Sequence, residues 1–83
     1  MNDFTLSDLD EGMRVELHPG TDAWMSGDRY GEIAKVGRKL VHVYMDRSRS
    51  VRRLRPEYIH AVVMTAPEWA AEKERQGRPR LIS

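Results

Sequence analysis

The stretch LVHVYMD, residues 40 to 46, constrains the fold of this chain more than any other part of it. Val41, Val43 and Met45 alternate with His42, Tyr44 and Asp46, the period of a strand with one face buried and one face outside. Asp46 to Arg49 then supply turn residues, and SVRRL (50 to 54) reads as strand again. If Leu54 belongs to the core, Arg52 shares its face, while Arg53 and Arg55 point outward.

The same period organises the flanks. In MRVEL (13 to 17), Met13, Val15 and Leu17 alternate with Arg14 and Glu16 until His18-Pro19-Gly20 stops the strand. GEIAKV (31 to 36) is a second strand whose alternation breaks. Ile33 and Val36 fall on opposite faces of a regular strand, so a bulge near Ala34–Lys35 is predicted if both are buried. Gly37-Arg38-Lys39 forms a tight turn. IHAVV (59 to 63) is a fifth strand, entered through the proline-initiated turn Arg55-Pro56-Glu57-Tyr58. Residues 21 to 31, TDAWMSGDRYG, read as a long loop, and Trp24, Met25 and Tyr30 either pin it to the domain or form part of a binding surface. Tyr30 is expected to seal one end of the core.

Outside the strands, FTLSDLDEGM reads as a capped turn. Ser7 caps the following amides, Asp8, Asp10 and Glu11 suit a helix start, and Gly12 suits a left-handed end. Thr65-Ala66-Pro67-Glu68 has capping-box spacing, which opens a helix over 67 to 76 that relies on docking Trp69. The chain therefore divides into a capped turn (1–11), a strand-rich body (12–64), a helix (65–77) and a tail (78–83). The tail, with RPRLIS, is either a loose end or a short recognition segment.

Five short strands with a single turn before the last one predict an all-β fold, a five-stranded small barrel with a short C-terminal α-helix. GMRVELHP (12 to 19), the spacing of Trp24, Gly27 and Gly31, LVHVYMD and LRPEYI (54 to 59) together resemble the SH3-like barrels, the group that includes Tudor, chromo-barrel and KOW-type modules. The general look is also similar to small accessory proteins of phages and actinobacteria. The resemblance spans roughly residues 12 to 63 and implies an architecture shared by modules with quite different ligands.

The totals narrow the function. A chain of 83 residues makes one domain. It has no cysteine, which excludes disulfides, thiol catalysis and zinc-finger sites. No apolar run approaches the ~20 residues that span a bilayer, and MNDFTLSDLDEG is unlike a basic-then-apolar signal peptide. The expectation is a cytoplasmic protein without membrane contact. His18, His42 and His60 are dispersed along the sequence, so no metal site is expected. Ser48 or Ser50, a histidine and Asp46 make a triad only on paper. The glycines at 27, 31 and 37 lack the setting of a phosphate loop, so neither catalysis nor a cofactor is expected.

Charge carries the functional signal. Residues 1 to 28 hold one basic and seven acidic residues, whereas residues 29 to 60 hold nine basic and three acidic ones. Arg38, Lys39, Arg47, Arg49, Arg53 and Arg55 are the candidate contacts for DNA or RNA phosphates. Trp24, His42 and Tyr44 are candidates for stacking bases or enclosing a cationic side chain. The alternative is an interaction or self-assembly module in which the arginines pair with the acidic third, within one copy or between copies. Exposed ion pairs contribute only ~0–1 kcal/mol each, so stability alone accounts poorly for so dense a cluster.

Overall fold

A computed structural model describes residues 4–77; the tail at 78–83 lies outside the described residues. Five strands form one antiparallel sheet: β1 (Arg14–Leu17), β2 (Tyr30–Val36), β3 (Val41–Met45), β4 (Val51–Leu54) and β5 (Ile59–Met64). Their spatial order is β4-β3-β2-β1-β5. β4 and β5 are the two edges of the sheet, and no hydrogen-bonded pairing between them closes it. Between β4 and β5 lies the 3-10 turn Pro56–Tyr58, which Arg55 enters in extended conformation. It delivers His18 N–H to the Tyr58 carbonyl and pairs Leu17 with Ile59, so β5 joins β1 rather than β4.

One face of the sheet carries the core. Val15, Leu17, Ile33, Val41, Val43, Met45 and Ile59 are almost wholly buried, together with Leu9 and Ala23. Each buried Val, Leu, Ile or Met side chain contributes roughly 1.5–3 kcal/mol of transfer free energy, so this cluster is the main force holding the sheet together. The predicted bulge is present: the β2–β3 register skips between Ile33 and Lys35, leaving Ala34 unpaired. Gly31 lies opposite Met45, where a Cβ would come within 2.6 Å of the Tyr44 carbonyl oxygen. The close approach of β3 therefore requires glycine there.

Several local expectations change. The predicted loop 21–31 contains a one-turn helix, α1 (Asp22–Met25), whose Trp24 amide is capped by the Thr21 hydroxyl. Irregular hydrophobicity over so short a helix gives no period to read. The N-terminal turn is a 3-10 helix at Leu6–Asp8, and its cap is Thr5 rather than Ser7: the Thr5 amide and hydroxyl both donate to the Asp8 carboxylate. Tyr30 does not seal the core but stands on the opposite face of the sheet, paired with Glu16. Val51 shares the outward face of Arg53 and is exposed beside Tyr44.

The second helix, α2 (Ala66–Gly77), opens with the capping box. Thr65 donates from its hydroxyl and amide to Glu68, whose carboxyl those bonds hold below its ordinary range. No residue of α2 is buried. It lies against the outer face of the sheet through polar contacts centred on Trp69. Among the described residues, no helix is long and apolar enough to cross a membrane.

Candidate functional site

Pairing across the sheet sets out the face opposite the core. One row runs Val51, Tyr44, Glu32, Arg14 and Met64 across all five strands, and a second runs Arg53, His42 and Lys35. Val51, Arg53, Tyr44, His42, Glu32 and Arg14 follow from the alternation of their strands, because partners in an antiparallel ladder share a face, whereas the bulge at Ala34 is what turns Lys35 outward.

The six candidate phosphate contacts are all exposed. They spread along the β3–β4 hairpin rather than converging on one point. Lys39 and Arg55 meet at one end, lining a shallow depression with Leu40, Pro56 and Glu57, and Arg38 stands beside them in the β2–β3 turn. Arg53 occupies the middle next to His42. Arg47 and Arg49 flank the turn at the other end, beyond the four residues of β4. Arg47 lies over Gly27, whose φ of +98° and missing Cβ make room for the guanidinium.

Electrostatically the six differ from Arg14 and Arg52, whereas Arg29, which sits over the Trp24 ring, also forms no ion pair among the described residues. Among the described residues, Arg38, Lys39, Arg47, Arg49 and Arg53 form no ion pair, and Arg55 has only a loose one, 3.8 Å from Glu57. Arg52 and Arg14 are instead engaged. Arg52 points to the core side and donates from Nε to Asp28 Oδ2 at 2.8 Å, while the Ser48 amide donates to Asp28 Oδ1. Burial pushes the Asp28 carboxyl up, but the hydrogen bonds from Arg52 and Ser48 and the guanidinium charge outweigh it and hold the group below the usual range. Of the described acids in the first third, Asp28 alone pairs with an arginine of the hairpin. The acidic segment does not cover the basic one.

The aromatic candidates are divided between the two faces. Tyr44 is exposed and His42 half-buried on the outer face. Trp24 packs against the core, with the Arg29 guanidinium 4.7 Å over its ring, so it is not brought beside the other two. Trp69 takes the place that Trp24 was expected to fill. Its Nε1 donates to Glu32 Oε1 at 2.6 Å, and Arg14 sits 4.5 Å over its ring. Arg14 also makes a bidentate pair with Asp46, at 2.6 and 3.2 Å. Between α2 and the hairpin these residues leave an open groove of about 590 Å³, lined by Arg14, Tyr44, Asp46, Arg49, Trp69 and Gln76 among others. Neither Asp28 nor Arg14 was legible as a site residue, because their partners lie 20 or more residues away.

The histidines also differ from expectation. Because β1 and β5 are neighbours, the His18 and His60 rings meet edge to face with centroids 5.6 Å apart. Among the described residues no group of three or more His, Cys, Asp or Glu side chains lies together.

Comparison with family models, with curated proteins and with solved structures returns no match. The functional reading therefore rests on the site itself.

Proposed function

We propose that the protein is a non-enzymatic binding module that holds nucleic-acid phosphates along its basic hairpin, on an SH3-like barrel architecture and in a cytoplasmic setting. Arg38, Lys39, Arg47, Arg49, Arg53 and Arg55 make the contacts. The observation that carries this reading is the charge left uncompensated on the hairpin. Five of the six cations lack an ion pair among the described residues, although the chain holds as many acids on its first third as would neutralise them. Guanidiniums spaced along a strand suit successive phosphates, whose binding is driven by counterion release.

The test is a titration of fluorescently labelled DNA and RNA oligonucleotides at several salt concentrations. The expected log–log slope for a single strand is at most about −4, from six contacts at ~0.7 each. Affinity that is absent at low salt, or indifferent to salt, would overturn the proposal.

A second reading has its own support. Asp10, Glu11 and Asp22 are exposed and form no ion pair among the described residues, so the acidic segment of one copy is free to meet the hairpin of another. Light scattering after size exclusion at low and high salt separates the two readings. Self-assembly predicts a larger species that dissociates with salt, and a monomer under both conditions removes it.

A further inference from the structure

We infer that the groove between α2 and the β3–β4 hairpin takes one unpaired nucleobase, stacked on Tyr44, so that the ligand is a single strand rather than a duplex. This rests on the phosphate-binding reading above and specifies the form of nucleic acid it applies to.

Three observations converge. Tyr44 offers an exposed ring with no aromatic or cationic partner among the described residues. The other aromatic wall, Trp69, is already covered by Arg14. Tyr44 is therefore the stacking surface and Trp69 a fixed flank.

The charge of the groove is the second observation. Its two acids are occupied: Asp46 by the bidentate Arg14, and Glu72 by Arg75 and Gln76. The interior is thus near neutral, which suits a base, while unpaired Arg49 stands on its hairpin rim, with the other hairpin cations farther along the strands for the phosphates that follow. A base locked in a duplex cannot present its face to a side chain, but an unpaired one can.

The third is Arg49, at the lip of the groove. Its φ is +55°, the left-handed region, and it is the only such non-glycine residue among those described. Glycine or asparagine would occupy this position of the turn at lower cost. A strained arginine that makes no ion pair is better accounted for by a ligand than by the fold.

The experiment measures fluorescence anisotropy of labelled oligo-dT, oligo-U and a duplex of equal length, with the intact protein and two variants. Both single strands are expected to bind at least tenfold more tightly than the duplex. Tyr44→Ala is expected to weaken single-strand binding about tenfold, the effect of one stacked base, with the salt slope unchanged. Arg49→Gly is expected to weaken binding and lower the slope while raising the melting temperature by about 4 °C, which no purely structural role for Arg49 would produce. Equal binding of duplex and single strand, or Tyr44→Ala binding like the parent, overturns the stacking inference and leaves the phosphate reading standing. Absence of binding to all three probes at low salt removes the phosphate reading, and the inference with it.

Discussion

Arg52 and Arg53 are neighbours on one strand, and the two faces of the sheet give them opposite roles. Arg52 faces the core beside Val43, where its charge is tolerable only because buried Asp28 meets it at 2.8 Å. Arg53 faces outward beside His42 and meets no acid among the described residues. The inner face carries the apolar core, and its cation Arg52 is paired with Asp28. The outer face is left with charge and aromatic surface that the fold does not consume. An inward charge also blunts an edge strand against pairing with other chains, which gives Arg52 a purpose independent of any ligand. The contrast shows that a run of arginines is not a single feature.

The contrast can be broken most severely from the inside. Met45→Ala, at a fully buried position, is expected to cost about 3 kcal/mol in denaturant unfolding, whereas Tyr44→Ala next to it costs less than about 1 kcal/mol. Comparable losses for the two would mean that the outer face is as closely packed as the inner one. Asp28→Ala comes next, at about 2 kcal/mol, because it leaves Arg52 half-buried without its partner. The partial exposure of Arg52 keeps the loss below that of a fully buried pair.

Acid probes the same pair without mutation. The Asp28 carboxyl is lower in the fold than its unfolded value near 3.9. Its contribution is therefore present above about pH 4 and is lost as pH falls through the folded value, since the unfolded state then binds the proton more readily. Asp28→Asn should remove that part of the acid sensitivity, a difference visible in melting curves between pH 3 and pH 5. The smallest effect is on the outside. Arg53→Ala should change stability by no more than about 0.5 kcal/mol, yet lower the salt slope of single-strand binding by about 0.7. An Arg53 variant that unfolds but still binds would reverse the assignment of the two faces.

Much of this was legible in the chain because it is local. The alternation of residues 40 to 45 and 13 to 17 names the buried face of each strand. The broken alternation of Ile33 and Val36 locates the bulge. Thr65 and Glu68 mark the start of α2 by spacing alone, and the outward direction of Arg53 follows from that of Leu54. The one-turn helix at Asp22–Met25 had no such signal, being too short to show a period. The exposure of Val51 follows from the same alternation, since Val51 shares the face of Arg53.

The sequence by itself determined the strands, their inner and outer residues and the opposed charge blocks, all of which depend on neighbours within a few positions. The tertiary structure decided which charges are cancelled and which are left. Asp28 reaches Arg52 across 24 positions, Arg14 reaches Asp46 across 32, and Trp69 reaches Glu32 across 37. An ion pair or hydrogen bond acts over a few ångströms of space whatever the separation along the chain, so the division between spent and available arginines exists only once the sheet has formed.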